Sequence, residues 1–362
     1  MRALDTGAKT GQLRYYRQLP DRDSVRREIL KGLSQREKFV DSKFFYDETG
    51  SHLFERITRL PEYYLTRVER EILRQFRPAI AAHVGTGCVV FEPGCGNCEK
   101  FALLADALKP AAYVCWDISD AYLRQASAKL AERFHWLACH AVAADYSGGF
   151  PLPEHLPDAR RIVFFPGSSI GNLEPRAAFH LLQRFRDLTG PGGGLLIGVD
   201  LRKSMEQVLP AYNDRQSVTA TFNKNCLRHI NALTGSQFSS EAFEHRAIFN
   251  TDEQRIELSL RSRYAHEVRI ANETIGFAAG ERIRTEYVYQ YTVGAFAQLA
   301  ARARFRLRKS WYDQQRLFSV HYLSAEPDPV ILDFDPAAQE ITSAQVVHEI
   351  DEGPFDIPDR RH

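Results

Sequence analysis

Residues 88–100 read Cys88-Val-Val-Phe91-Glu92-Pro-Gly94-Cys95-Gly96-Asn-Cys98-Glu99-Lys100, and the reading of the fold turns on them. Val89-Val90-Phe91 is a continuous apolar run, as expected of a parallel strand covered on both faces. Gly94 and Gly96 permit a turn too tight for side chains, and the residues from Glu99 through Leu108 favour a helix. Strand, glycine turn and helix form the opening unit of a nucleotide-binding α/β sheet. The glycines let a ligand lie against bare backbone, and the helix start offers free N–H groups. Glu99 stands where a dinucleotide fingerprint has its third glycine, and Glu92 precedes the turn. A carboxylate there repels a pyrophosphate and suits a cationic ligand, which disfavours a dinucleotide oxidoreductase.

The chain has 362 residues, 44% hydrophobic and 26% charged, enough for one large or two ordinary domains. A net charge of +1 gives no general attraction to nucleic acid or anionic membrane, so neither is expected as a partner. Near the N-terminus, Arg17, Arg22, Arg26 and Arg27 alternate with Asp21, Asp23 and Glu28, the pattern of a solvated face. There is no apolar run of membrane-spanning length and the start is polar, so a cytoplasmic protein is expected, and a monomer is the working expectation. Cys95 and Cys98 have a metal or redox spacing. No second pair follows them, and most other cysteines sit in apolar strands as small hydrophobes, so no metal is expected.

Away from the glycine turn, residues 1–20 are expected to be loosely held. A helix is predicted over Ser24–Gln35 with Ser24 as its cap, and another over Val68–Ala82. Between them, two aromatic clusters, Phe44-Phe-Tyr46 and Tyr63-Tyr64, surround the turn residues Asp47, Gly50 and Pro61. They suit a core or a pocket wall equally well. Ala111–Trp116 is a second strand ending in Asp117, about 20 residues past the glycines, where a carboxylate accepts from ribose hydroxyls. Asp120 is the weaker candidate, being placed to cap the next helix. A third strand, Trp136–Ala144, ends in Asp145-Tyr146; Asp145 suits an adenine amino group or a plain turn. Arg161–Pro166 is a fourth strand, running into Gly167–Asn172 at the switch point, and Asn172 offers both a donor and an acceptor there. The helix Arg176–Leu188 and a fifth strand, Leu195–Val199, complete the alternation.

The period then changes. Helices are predicted at Met205–Asn213 and Ser217–Leu233, strands at Phe249–Arg263 and Ala265–Ile270, a turn at Gly276–Gly280 and an extended run at Arg282–Tyr291. A helix at Val293–Ala303 and a closing strand at Leu317–Leu323 follow, and residues 326–362 are expected to be an acidic, mobile tail.

The Glu92-x-Gly94-x-Gly96 pattern resembles motif I of S-adenosylmethionine-dependent methyltransferases, whose ligand carries a sulfonium and an ammonium. Six further runs, in order, are Phe44-Phe-Tyr46-Asp, Leu60-Pro-Glu-Tyr63-Tyr64-Leu-Thr-Arg67, Phe165-Pro-Gly-Ser-Ser-Ile-Gly171-Asn172, Ala211-Tyr212-Asn-Asp, Val218-Thr-Ala-Thr-Phe-Asn223 and Ile283-Arg-Thr-Glu286. Together, over roughly residues 20–325, the chain resembles the L-histidine Nα-methyltransferases of ergothioneine biosynthesis. The resemblance implies an α/β fold: a Rossmann-like class I methyltransferase sheet (residues 65–201 and 290–325) with a second α+β substrate-recognition domain (14–64 and 202–289) and a tail. It implies S-adenosylmethionine as cofactor, held by Gly94, Gly96, Lys100, Asp117, Asp145 and Tyr146, and a free amino acid, most readily L-histidine, as substrate. Asn172 and Tyr212 would hold its carboxylate, Tyr46 and Tyr63 would sit near the amine, and Glu286 would bind the imidazole. One position departs from the family: a serine commonly follows two residues after that glutamate, and here it is Val288. Valine offers no hydrogen bond, which makes another amino acid, such as a tryptophan derivative, the alternative substrate and leaves the methyltransferase class untouched; the alternative from another class is a non-catalytic cofactor-binding module.

Overall fold

The computed structural model describes residues 13–327. Its centre is an eight-stranded sheet. The strands in chain order are β1 (Leu13–Gln18), β2 (Val89–Pro93), β3 (Ala112–Asp117), β4 (Cys139–Ala144), β5 (Arg161–Phe165), β6 (Gly194–Asp200), β7 (Phe243–Asn250), β8 (Arg255–Ser262), β9 (His266–Ile270), β10 (Glu273–Phe277), β11 (Arg282–Tyr289), β12 (Phe305–Tyr312) and β13 (Phe318–Ala325). The large sheet runs β1-β4-β3-β2-β5-β6-β13-β12. Its first six strands pair in parallel, and β13 and β12 close it antiparallel. The order reverses between β2 and β5, which makes the crevice beyond their C-terminal ends the expected ligand site. Side chains alternate across β2: Val90 enters one apolar core, Val89 and Phe91 the other, so the strand is dry on both faces.

After β6 the chain leaves the sheet through helices Met205–Tyr212 and Val218–Thr234. It then forms a three-stranded antiparallel sheet, β11-β8-β7, and the β9–β10 hairpin. The segment 38–63 joins this region. Arg284 of β11 donates its N–H to Lys38 and its carbonyl accepts from Val40, and Asn225 of the second helix donates to Asp47 at 2.7 Å.

Several elements differ from their sequence expectation. Residues 13–18, expected to be loose and assigned with residues 14–64 to a substrate domain, form β1 on the edge of the large sheet; Tyr15 and Tyr16 are buried, and Tyr15 donates to Asp120. Asp120 is thereby the partner of Tyr15, Arg17 and Arg124 rather than a helix cap. The first helix runs Arg22–Leu33, and its cap is Asp21, whose carboxylate accepts from Ser24 N–H at 2.8 Å. The expected helix 68–82 is two helices, Tyr64–Gln75 and Arg77–Val84, because Pro78 has no N–H to continue the first. The helix after the glycine turn is also broken, into Glu99–Ala102 and Ala105–Leu108. The single strand expected over 249–263 is the end of β7, a turn and β8; Gly276 lies within β10. Strand β12 was not predicted. Its Arg306, Arg308 and Lys309 mask the alternation, as suits an edge strand. The expected tail beyond Pro327 lies outside the described residues.

Candidate active site

Two groups of residues meet at the C-terminal ends of the strands. The first surrounds the glycine turn. Gly94 and Gly96 have φ of +69° and +53°, a region that glycine enters without steric cost. A Cβ on Gly96 would enter open space, and one on Gly94 would lie 3.1 Å from the Tyr146 hydroxyl. The turn is therefore a bare-backbone cradle walled by Tyr146, whose ring stacks on Phe150. Asp117, at the end of β3, accepts from Gly96 N–H at 3.0 Å and Ser119 N–H at 2.9 Å. Burial pushes its carboxyl up to about 6, against the pull of those N–H groups. Asp145, at the end of β4, accepts from Lys43 Nζ at 2.7 Å and from Ser147 N–H at 2.8 Å. Burial would raise this carboxyl, but the bonds from Lys43 and Ser147 outweigh it and hold it below the ordinary range.

Glu92 behaves differently from its sequence reading. It is buried under the turn, accepts from the Tyr113 hydroxyl, and burial raises it well above the ordinary carboxylate range. It does not face the cradle as an exposed charge, so its contribution there is structural. Lys100 points toward the switch point: its Nζ is 2.6 Å from the buried Glu69 and close to Gly167. Glu69 also accepts from Gly167 N–H at 2.9 Å. This link between the glycine turn and the loop after β5 was not predicted, because Glu69 sits unmarked within an amphipathic helix.

The second group lines a narrow, largely enclosed cavity of about 60 Å³. Tyr46, Tyr63, Asn172, Tyr212, Glu286 and Val288 all lie on its wall. They come from five separate segments, and local features set each of them. Asp41 caps the 3₁₀ turn Ser42–Phe45 that presents Tyr46, and a Cβ on Gly50 would lie 1.7 Å from the Phe45 carbonyl, so only glycine lets the next helix pack there. Tyr46 meets Phe54 and Phe222 edge-on, and Tyr63 meets Tyr212 edge-on. Asn172 ends the 3₁₀ turn Ser169–Asn172; a Cβ on Gly171 would sit 2.6 Å from the Tyr289 carbonyl, so glycine brings this turn against β11. Asn172 Nδ2 then donates to Glu286 Oε1 at 2.8 Å.

Glu286 follows a register shift in the β11–β8 ladder between Arg284 and Glu286. Such a bulge re-aims the side chains after it. Glu286 and Val288, two apart, face the cavity together with Leu258 from β8. Burial pushes the Glu286 carboxyl up to about 8. Burial, reinforced by the Glu286 carboxylate, also raises the Tyr46 and Tyr63 hydroxyls, so both stay protonated at neutral pH. Asn223, which lines the same wall, has a buried Oδ1 without a hydrogen-bond partner, while its Nδ2 is engaged by His245 at 2.8 Å. It falls within a recognised motif but was not assigned a role. Only its burial marks it.

A doubly wound parallel sheet with an antiparallel close, a glycine cradle at its switch point and an acidic residue ending the next strand define a class I S-adenosylmethionine-dependent methyltransferase. The cradle suits that cofactor: it has open backbone, an aromatic wall and a carboxylate acceptor. The family model described as histidine-specific methyltransferase, SAM-dependent, matches residues 25–325, and the chain belongs to this family. It is 38% identical over 297 residues to the histidine N-alpha-methyltransferase of Mycolicibacterium smegmatis, covering 80% of this chain and 92% of that one. It is 36% identical over 311 residues to the histidine N-alpha-methyltransferase of Mycobacterium tuberculosis, covering 82% and 94%. Ergothioneine biosynthesis protein 1 of Neurospora crassa is 30% identical over 305 residues, covering 75% of this chain and 34% of that longer one.

Proposed function

We propose that this enzyme transfers methyl groups from S-adenosylmethionine to the α-amine of L-histidine, up to the trimethyl betaine. The observation that carries the reading is the enclosed cavity, where Asn172 and Glu286 are joined by a hydrogen bond and faced by three tyrosines. Asn172 and Tyr212 are proposed to hold the substrate carboxylate, and Tyr46 and Tyr63 to orient the amine. Gly94, Gly96, Asp117, Asp145 and Tyr146 are proposed to hold the cofactor, with Lys100 bracing the turn through Glu69.

The cofactor supplies an electrophilic methyl group on a sulfonium. The transfer is an in-line displacement, so positioning does most of what the protein must do. The amine has to be neutral to attack; its reference pKa of about 7.7–8.0 makes that inexpensive near neutral pH. The product gains a permanent positive charge, and tyrosine faces attract such a cation by about 0.5–2 kcal/mol. Tyr46 and Tyr63 supply these faces, and their protonated hydroxyls accept from an amine N–H. Glu286, raised to about 8, is mostly protonated below that value in the free enzyme. An arriving imidazole can take a hydrogen bond from the acid, or, as imidazolium, pair with the carboxylate. Val288 provides no second partner for the ring, and the unpartnered Asn223 Oδ1 on the same wall supports the view that this amide takes that place. The test is mass spectrometry of all free amino acids incubated with enzyme and S-adenosylmethionine. Histidine is expected to gain three methyl units; a preference for tryptophan or tyrosine would overturn the substrate.

A further inference from the structure

The sequence shows one cysteine pair with metal spacing and no second pair. The fold supplies what the spacing lacks. Cys95 and Cys98 lie in the glycine turn, Cys115 lies in β3, and the three sulfur atoms are all within 4.8 Å of one another. We propose that Cys95, Cys98 and Cys115 form a thiolate site for a soft d¹⁰ metal ion such as zinc, beneath the cofactor turn.

Several independent features agree with this. Zinc–thiolate bonds of about 2.3 Å place the sulfurs of a tetrahedral site about 3.8 Å apart, so the present spacing needs shifts of less than about 1 Å. All three residues are buried, and thiolates are soft ligands that favour soft metals over hard ones. Cys98 has φ of +57°, in the left-handed region that a side chain other than glycine enters at a cost of about 1 kcal/mol. Cys139 on β4 borders the Cys115 thiol but lies outside the group of three, so a fourth ligand would be supplied by solvent or by a shift of this strand. Cys88 and Cys226, also buried, stand outside this group.

Binding forms the metal–sulfur bonds and breaks the S–H bonds of the coordinating thiols, and the protons go to solvent. The ion would tie the glycine turn to the neighbouring strand directly under the backbone that receives the cofactor. The site is independent of the methyl transfer, so it stands or falls apart from the proposed substrate.

The test uses the full chain, fully reduced, loaded with zinc and passed through gel filtration with a weak competing chelator. One zinc per chain is expected by elemental mass spectrometry. Cobalt in its place should give a thiolate charge-transfer band. Cys98→Gly is the chosen variant because glycine keeps φ near +57° without strain while removing the sulfur. It should lower retained zinc at least tenfold, and Cys88→Ala should leave it unchanged. Zinc-free wild-type protein, or cobalt bound without the charge-transfer band, would overturn the site and leave three small core residues. The cobalt spectrum of wild type decides the matter even where a variant fails to fold.

Discussion

The cofactor end and the substrate cavity are built on different principles. The cofactor end is mostly backbone: two glycines at positive φ, and two carboxylates at the ends of adjacent parallel strands, held by N–H groups and one lysine. Apart from Lys43, its parts lie within 60 residues of one another. The cavity is mostly side chain, and its walls come from residues 45 to 288. The first can be altered one residue at a time with graded effects. The second depends on five segments meeting, so single changes there should be more severe for turnover and nearly silent for the cofactor.

The largest expected effect tests that separation. Glu286→Ala removes a hydrogen bond worth about 1.5–3 kcal/mol to a charged group and strands Asn172, so histidine kcat/KM should fall about 100-fold or more. Calorimetry with S-adenosylhomocysteine should show cofactor affinity within about twofold of wild type. A matching loss of cofactor binding would mean the two regions are one. Next, Asp117→Ala should weaken S-adenosylhomocysteine by about 10- to 100-fold, through lost ribose acceptors. In wild type the same affinity should decline as pH drops below about 6, where the carboxyl takes up its proton. An affinity flat across that range would remove Asp117 from the cofactor.

A third test reads stability. Glu286 has its folded-state value raised from 4.5 to about 8, so its destabilising effect is absent below about pH 4.5 and complete above about pH 8. Glu286→Gln should therefore raise Tm relative to wild type at pH 9, by roughly 1–4 kcal/mol in stability terms, and the gain should vanish toward pH 5. A pH-independent difference would show that the carboxyl is not desolvated. The smallest effect belongs to Val288→Ser. One restored hydrogen bond, net about 0.5–1.5 kcal/mol, should lower KM for histidine by up to about tenfold. No change would fit a ring already satisfied by Asn223.

The same contrast explains what was legible in the sequence. Strands β2 to β6 each announce themselves by an apolar run and an acidic or glycine-bearing end, because parallel strands are dry on both faces. The individual cavity residues were found through long motifs, since Tyr46, Asn172 and Glu286 have no local signal of their meeting. The link from Lys100 through Glu69 to Gly167 was missed for the same reason: partners 98 residues apart leave no period. The edge strands β1 and β12 were missed because arginines interrupt their alternation, which protects an exposed edge but hides it from pattern reading. The third cysteine of the buried cluster lay 17 residues beyond Cys98, in a strand where cysteine passes for a small hydrophobe.

Strand β1 has a further consequence. From β1, on the edge of the large sheet, the chain runs out to supply Tyr46, Phe54 and Tyr63, and returns through the helix at Tyr64 to β2. The aromatic wall is thus a strap fastened at both ends to the platform that carries the cofactor. A loop with both ends fixed samples far fewer arrangements than an arm with one free end, and its cost of ordering is paid once, on folding. Unfastening β1 would leave every cavity residue in the sequence and yet dilute them in space, so that each substrate molecule would have to reassemble the wall before any methyl group could move.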